Sequence, residues 1–184
     1  TNQAVHSGDK LAGTRIIPLV IEAEKMEAVK SIGGDKPLLE IRPYVRQKAA
    51  VITTGNEVYH GRIKDTFTPV IKEKLEAYGV EVMFHETVPD DGKKIDEAIR
   101  RARESGAELI LCTGGMSVDP DDRTPGAIKE SGARIVTYGA PVLPGAMLVL
   151  GYYEDGTPVL GLPGCVMYAA ATVFDLVLPR VLAD

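Results

Sequence analysis

Short apolar runs alternate with segments of helical spacing from Ala49 to Tyr138. The run at residues 107–113 is apolar at nearly every position, which is typical of strands that are covered on both faces. Strand-helix-strand connections of this length form right-handed crossovers between parallel strands. The sequence therefore predicts an α/β fold, a three-layer, doubly wound and mostly parallel sheet with helices on both faces.

The positions of the elements follow from the same alternation. Strands are predicted at residues 50–54, 80–87, 107–113 and 133–138, with strand-like runs at 147–153 and 157–162. Helices are predicted at residues 22–31, 66–78, 93–105 and 165–182, and a short helix precedes the strand at 133–138. Two more strands are predicted near the start of the chain, at residues 14–21 and 38–44.

A polar stretch that contains a proline, from Arg42 to Lys48, separates these early elements from the regular alternation. We therefore expect two parts, a small N-terminal α+β appendage at residues 1–47 and a main domain at residues 48–184. The first part is too small to hold a core of its own.

Composition limits the possible partners. A net charge of -5 argues against nucleic acid and anionic membranes, and no apolar run approaches the roughly 18 residues of a membrane span. Cys112 and Cys165 lie in apolar surroundings without a CxxC motif, so a reducing, cytoplasmic location is expected. The three histidines show no repeated spacing, so neither a metal triad nor a Ser/His/Asp assembly is predicted.

The first candidate site loop follows the strand at 50–54. In a parallel sheet, ligands lie beyond the carboxyl ends of the strands, and this position is occupied by Thr54, Gly55, Asn56 and Glu57. Glycine allows close approach of a ligand to the backbone, and the other three side chains offer polar contacts. A capped turn between a strand and a helix would explain the same residues.

A glycine-rich loop follows the strand at 107–113. Thr113 is followed by Gly114 and Gly115, whose N–H groups can form a nest for an anion. The hydroxyls of Ser117 and Thr124 can add contacts, and Thr124 with the proline after it can cap a helix whose N-terminus favours anions. The loop predicts a binding site for a phosphate group.

Three carboxylates interrupt the same loop, at Asp119, Asp121 and Asp122. Hard oxygen ligands grouped in this way suit Mg²⁺, which bridges carboxylates to phosphate oxygens. We expect Asp119 and Asp122 to hold the ion. The alternative is a solvated acidic loop without a ligand.

Two further loops lie at the same predicted edge of the sheet. Asp90 and Asp91 follow the strand at 80–87, where each is either a site residue or the N-cap of the next helix. The turn from Gly161 to Cys165 follows the last strand and opens a helix, so Pro163 and Gly164 can shape a second seat for an anion.

Taken in order, the segments TTGNEV, GRIKDT, VPDD, CTGGMSVDPDDRTP, PVLPGAM and GLPG carry a resemblance. The chain from about Lys48 to its end resembles the molybdopterin-binding fold shared by molybdopterin adenylyltransferase, molybdopterin molybdotransferase and the competence-damage-inducible proteins. The resemblance implies a cytoplasmic domain of molybdenum cofactor biosynthesis that binds molybdopterin, a pterin phosphate. It also implies a homo-oligomer, a dimer or a trimer.

The resemblance also implies roles for particular residues. Gly114, Gly115, Ser117 and the turn at 161–164 would form the pterin cradle, and Asp90 and Asp122 match carboxylates implicated in catalysis. In the adenylyltransferase such residues would position Mg²⁺ and ATP for transfer of AMP to the pterin phosphate. In the molybdotransferase the adenylylated pterin is hydrolysed as molybdate enters the dithiolene.

Molybdotransferase chemistry is preferred because PVLPGAM and GLPG resemble that branch. Two departures favour alternatives: Asn56 stands where TGDE motifs carry Asp, and Cys165-Val166 replaces the common Asn-Pro. The alternatives are adenylyl transfer, a binding module without turnover, and the nucleotide pyrophosphatase chemistry of the competence-related relatives.

Overall fold

The structure, a computed structural model, describes residues 4–15, 17–117 and 119–184. Its contacts divide the chain into two units, which meet in the sequence between Pro43 and Tyr44. The domain bounds expected from the sequence, 1–47 and 48–184, stay a prediction.

The first unit contains helix α1 (Ala23–Gly33), which ends at Gly34 with a positive φ of 64° and buries none of its residues. The helix predicted there is confirmed. The strands predicted at 14–21 and 38–44 are wrong, because none of the described residues in these ranges pairs with another strand. Ile16 lies outside the described residues. Side chains such as Ile17 and Leu38 are exposed, and β-branched sequences form strands only where a partner strand and a packing surface exist.

The second unit is built on a sheet that has six strands within the described residues. The strands are β1 (Lys48–Thr54), β2 (Glu81–Val88), β3 (Leu109–Thr113), β4 (Arg134–Tyr138), β5 (Val149–Tyr152) and β6 (Pro158–Leu162). Their order across the sheet is β2-β1-β3-β6-β5-β4. The pairs from β2 to β6 are parallel, and β5 is antiparallel to both of its neighbours. The mostly parallel sheet predicted from the sequence is confirmed.

Helices connect most of these strands. They are α2 (Asn56–Tyr59), α3 (Phe67–Glu76), α4 (Gly92–Glu104), α5 (Thr124–Glu130) and α6 (Val173–Leu182), with a 3₁₀ helix at Gly164–Met167. The helices predicted at 66–78 and 93–105 are confirmed. The continuous helix predicted at 165–182 is wrong, because Thr172 starts α6 with a capping box that includes Asp175. Across residues 4–15, 17–117 and 119–184, every helix is too short or too polar to span a membrane.

Both faces of the sheet are covered, which confirms the three layers. Ile52 packs on one face in the cluster that contains Ile99 of α4. Val51 packs on the other face, in the cluster that contains Leu75 of α3 and Phe174 of α6. Successive residues of β1 thus enter different cores, as the two-residue repeat of a strand requires.

The register brings four strand ends to one edge of the sheet. Thr54 at the end of β1 lies beside Val88 of β2, and Thr53 lies beside Thr113 at the end of β3. Thr113 in turn lies beside Leu162 at the end of β6. The loops that follow β1, β2, β3 and β6 therefore leave the sheet at the same edge, where open α/β sheets bind ligands.

Candidate functional site

The turn after β3 is held directly against the end of β1. Gly114 and Gly115 have positive φ values of 84° and 55°, which side-chain-bearing residues rarely adopt. A Cβ atom on Gly114 would lie 2.2 Å from the carbonyl oxygen of Thr54. Only glycine fits this position, because the contact would be with backbone that cannot move aside.

Two buried threonines, Thr54 and Thr124, contact the glycine turn. The hydroxyl of Thr124 donates a hydrogen bond to the Gly114 carbonyl oxygen at 2.8 Å and lies 3.3 Å from the Thr54 hydroxyl. A Cβ atom on Gly115 would lie 2.9 Å from Thr124 Oγ1. The prediction that Thr124 caps α5 is wrong, because it is the first residue of that helix and its hydroxyl bonds to the turn instead. A direct contact of Thr54 or Thr124 with a ligand stays a prediction.

One polar atom beside the turn has no partner. The hydroxyl of Thr113 is completely buried and makes no hydrogen bond to any described residue. A buried hydroxyl without a partner costs roughly 1–3 kcal/mol, so such groups are unusual and often mark a contact with water or a ligand. A direct contact of Thr113 with a ligand stays a prediction.

The acidic segment, the part of the loop after β3 that contains Asp119, Asp121 and Asp122, is held by hydrogen bonds from its own backbone N–H groups. Asp122 accepts a hydrogen bond from the Ser117 N–H, and Asp119 Oδ1 accepts one from the Asp121 N–H at 3.0 Å. The Asp119 N–H donates to the Ser117 hydroxyl at 3.1 Å. Val118 lies outside the described residues. One oxygen of each predicted metal ligand is therefore engaged, and the second oxygen has no hydrogen bond to another described residue.

The carboxylates fit a metal ion only in a limited way. No cluster of three or more His, Cys, Asp or Glu side chains suitable for a metal occurs in the described parts of the chain. Mg²⁺ commonly takes one or two protein carboxylates and completes its shell with water and phosphate oxygens. Asp119 and Asp122 can therefore serve such an ion if a phosphate arrives with it.

Asp90 and Asp91 have different roles in the structure. Asp91 is the N-cap of α4 and accepts hydrogen bonds from the N–H groups of Lys93 and Lys94. Asp90 instead faces the loop after β1, where its Oδ2 accepts from the Asn56 N–H at 3.2 Å. Capping therefore explains Asp91, whereas Asp90 remains at the edge with the candidate site.

The turn after β6 lies beside the turn after β3. Gly161 serves packing, since a Cβ atom there would lie 2.7 Å from the sulfur of Met116. Pro163 and Gly164 follow the strand and begin the 3₁₀ helix, with a hydrogen bond from the Val166 N–H to the Pro163 carbonyl at 3.1 Å. The two glycine-containing turns thus lie at the ends of neighbouring strands.

A polar cluster that the sequence analysis missed lies on the α3 side of β1. The Thr68 hydroxyl donates to Asp65 Oδ2 and lies 2.9 Å from His85 Nε2 and 3.0 Å from the Thr53 hydroxyl. Asp65 Oδ1 accepts from the N–H groups of Phe67 and Thr68 at the start of α3. The three-residue spacing of Asp65 and Thr68 was a sequence signal that these two side chains could meet at the start of a helix. His85 could not be added from the sequence, because it reaches them only through the pairing of β1 with β2.

The two ionisable members of this cluster have perturbed pKa values. Partial burial lowers the pKa of His85, and this effect outweighs the attraction of Asp65, which acts in the opposite direction. Burial would raise the pKa of Asp65, but hydrogen bonds from Thr68 and Phe67 and the attraction of His85 lower it. His85 is therefore neutral at pH 7, and its contact with Asp65 at 3.6 Å is part of a hydrogen-bonded network.

The free energy of unfolding should fall as the pH is lowered from 7 to 5. The unfolded chain takes up a proton on His85 near pH 6.5, whereas the folded protein takes it up only at lower pH, so protonation favours unfolding in this interval. The contribution of Asp65 is lost at still lower pH, below its ordinary value of 3.8. Urea unfolding at several pH values measures the effect.

His85→Gln is expected to reduce this dependence on pH. The matched control is His60→Gln, because His60 is exposed and makes no side-chain hydrogen bond to another described residue. The control should retain the decline of the wild type. An unchanged decline in His85→Gln would show that His85 does not couple stability to pH.

A family model described as "Probable molybdopterin binding domain" matches residues 50–183, and the chain therefore belongs to the molybdopterin-binding domain family. A protein of Bacillus cereus (strain AH187) with a competence-damage inducible name is 34% identical over 95 residues, which cover 52% of this chain and 23% of that protein. A Geobacillus relative with the same name is 38% identical over 88 residues, or 48% of this chain and 20% of that protein. The chain thus matches less than a quarter of the length of these relatives.

Solved structures share the fold. The molybdopterin biosynthesis enzyme MoaB of Thermus thermophilus has a TM-score of 0.62 and 29% identity, over 74% of this chain and 94% of that chain. The molybdopterin biosynthesis MoeA protein of Pyrococcus horikoshii has a TM-score of 0.60 and 28% identity, over 74% of this chain and 35% of that chain. CinA of Thermoplasma acidophilum, at 22% identity and a TM-score of 0.61 over 74% of this chain and 98% of that chain, is similar in fold alone.

Proposed function

We propose that this chain binds molybdopterin at the shared edge of β1, β2, β3 and β6 and acts in the manner of a molybdotransferase, inserting molybdate into adenylylated molybdopterin. The observation that carries the proposal is the meeting of four separate loops at one edge. Two of these loops contain glycine turns. The carboxylates of Asp90 and Asp122 each keep one oxygen that makes no hydrogen bond to another described residue. Membership of the molybdopterin-binding domain family supports the choice of ligand.

In this proposal, the N–H groups of Gly114 and Gly115 and the start of the 3₁₀ helix at Gly164 bind the pterin phosphate. Thr113, whose buried hydroxyl makes no hydrogen bond to a described residue, lies directly before the glycine turn. Oriented N–H groups hold a phosphate well, even in a chain of net charge -5, because they act at short range.

The reaction cleaves the bond between the adenylate and the pterin phosphate. Water supplies the oxygen that adds to phosphorus, and AMP leaves. Molybdate then binds the two dithiolene sulfurs, and one of its oxygens departs as water with the two thiol protons. Asp122 and Asp90 are the proposed catalytic carboxylates, which orient the water and accept its proton. Asp119 and Asp122 would hold Mg²⁺, which would offset the negative charge of the phosphate.

Two mixtures test the reaction. The protein is incubated with adenylylated molybdopterin and molybdate, or with molybdopterin, Mg²⁺ and ATP, and AMP and pyrophosphate are measured. We expect AMP release that depends on molybdate in the first mixture and no pyrophosphate in the second. Pyrophosphate in the second mixture alone would identify an adenylyltransferase. Binding of molybdopterin without product in either would identify a non-catalytic module, and the transferase proposal would fail.

The match to relatives with a competence-damage inducible name favours a second candidate, a nucleotide pyrophosphatase. Release of AMP from ADP-ribose in the absence of molybdopterin would support it. A homo-oligomer, a dimer or a trimer, is also proposed from the family resemblance, and light scattering of the full chain measures its size.

A further inference from the structure

Lys74 of α3 contacts the chain that follows the turn after β6. Its ammonium group donates to the Ala170 carbonyl oxygen at 3.1 Å and to the Asp175 carboxylate. The Lys74 and Asp175 side chains are only 15% and 25% exposed, so the solvent screens their ion pair only in part. One side chain of α3 therefore holds two points between the 3₁₀ helix and the first turn of α6.

The connecting segment, residues 168–172 between the 3₁₀ helix and α6, has few anchoring side chains of its own. Its residues 169–171 are alanines, and Ala170 and Ala171 are exposed. Methyl groups at the surface bury little apolar area, and the segment forms neither a helix nor a strand. Its position therefore depends on hydrogen bonds to its backbone.

These hydrogen bonds run from the turn after β6 to α6. The Ala169 N–H donates to the Cys165 carbonyl oxygen at 2.9 Å, which joins the connecting segment to the 3₁₀ helix. The Thr172 N–H donates to Asp175 Oδ2 at 2.6 Å, which joins it to α6. Lys74 bonds to the segment between these two points and also to the other oxygen of Asp175.

We propose that Lys74 is the positioning residue of the turn after β6 and that it acts through the connecting segment rather than by touching the ligand. The inference rests on the proposed function, which assigns the start of the 3₁₀ helix at Gly164 to the pterin phosphate. Hydrogen bonds weaken steeply when donor and acceptor are misaligned, so N–H groups bind a phosphate well only where their direction is fixed. Lys74 supplies this fixation from α3.

Amide hydrogen exchange of the ligand-free chain tests the positioning. In K74M the N–H groups of Ala169 and Thr172 should exchange roughly tenfold faster than in the wild type, because the segment between them loses its contact with α3. K74R keeps a charged donor for both oxygens and should stay within roughly threefold of the wild type. K72M is the charge control, since Lys72 lies on the same helix but is exposed and its side chain makes no hydrogen bond to a described residue, and it should exchange at the wild-type rate.

Calorimetric titration of the full chain with molybdopterin tests the consequence for the site. We expect the Kd to rise roughly tenfold in K74M and to stay within roughly threefold of the wild type in K74R and K72M. R101M controls for a general loss of stability, because it breaks the pair of Arg101 with Glu86, which joins α4 to β2. R101M should bind molybdopterin as the wild type does.

Urea unfolding establishes that each variant is folded. K74Q, which removes the charge and retains an amide donor on a shorter side chain, replaces K74M if that variant does not fold, and the same increases are expected for it.

The proposal is overturned if the Lys74 variant exchanges at the wild-type rate at Ala169 and Thr172, or if it binds molybdopterin as tightly as the wild type. An equal rise of the Kd in R101M would also overturn it, because the loss would then follow stability rather than the position of the turn. A wild-type chain that binds no molybdopterin would instead refute the proposed function, and the exchange rates would still decide whether Lys74 fixes the turn.

Discussion

Gly114→Ala is expected to lower the free energy of unfolding by roughly 3 kcal/mol or more and to abolish binding of molybdopterin. The new Cβ atom would lie 2.2 Å from the Thr54 carbonyl oxygen and 2.8 Å from the Thr54 hydroxyl, so the ends of β1 and β3 would have to separate. The backbone φ of 84° adds strain for any residue other than glycine. Urea unfolding and calorimetric titration with molybdopterin measure the two effects.

Gly156→Ala is the matched control. Gly156 has nearly the same φ, 83°, but no heavy atom lies within 4 Å of the position of its Cβ. The free energy of unfolding of this variant should fall by roughly 1–2 kcal/mol, the cost of placing alanine in the left-handed region. The variant should bind molybdopterin as the wild type does. Equal losses in the two variants would show that close packing against Thr54 does not determine the turn.

Asp122→Ala is expected to lower AMP release from adenylylated molybdopterin roughly 100-fold with the fold preserved. The substitution removes a carboxylate beside the glycine turn and also the acceptor of the Ser117 N–H. Because the acidic segment is mostly exposed, we expect the free energy of unfolding to fall by only about 1 kcal/mol. A coupled AMP assay and urea unfolding check the two parts.

Asp121→Ala separates the role of Asp122 from the general charge of the loop. The Asp121 N–H donates to Asp119, and its side chain makes no hydrogen bond to a described residue, so the substitution removes one negative charge and leaves the loop contact. Its rate should stay within roughly twofold of the wild type. An equal loss in both variants, or no loss in Asp122→Ala, would remove Asp122 from the mechanism.

The central part of the fold could be predicted because each strand carries its own signal. The run at 107–113 is apolar at nearly every position, and the structure buries all of β3 between two layers of helices. Parallel strands then require the loops that follow them to share an edge, so the sequence also located the candidate site. The strand order could not be predicted, because β3 pairs with β6 rather than with β4, the next strand in the sequence.

The wrongly predicted strand and helix have local sequences that favour these structures. They lack the tertiary contacts that the structures would need. Ile17 and Val20 favour a strand, yet both are exposed and neither pairs with a strand among the described residues. The alanines at 169–171 favour a helix, yet the chain changes direction there and α6 starts anew at Thr172. The spacing of Thr172 and Asp175 resembles a capping box and was the signal that could have shown this.

The site could be predicted by residue type but not by contact. The sequence indicated that Gly114 and Thr124 belong to one loop. It did not indicate that the Thr124 hydroxyl donates a hydrogen bond to the Gly114 carbonyl oxygen. Nor could it show that Asn56 faces Asp90, since this contact depends on the register of β1 against β2. Hydrogen bonds between distant segments follow from strand register, and register is a property of the whole sheet.

The proposed function requires one edge of the sheet to act as a single binding site for molybdopterin. Titration of the ¹⁵N-labelled chain with molybdopterin, followed by backbone amide chemical shifts, tests this directly. We predict that the largest shifts occur together at Gly55, Gly114, Gly115 and Gly164, with little change at Gly156. Shifts confined to the first unit, or centred on Gly156 with none at the glycine turns, would contradict the account.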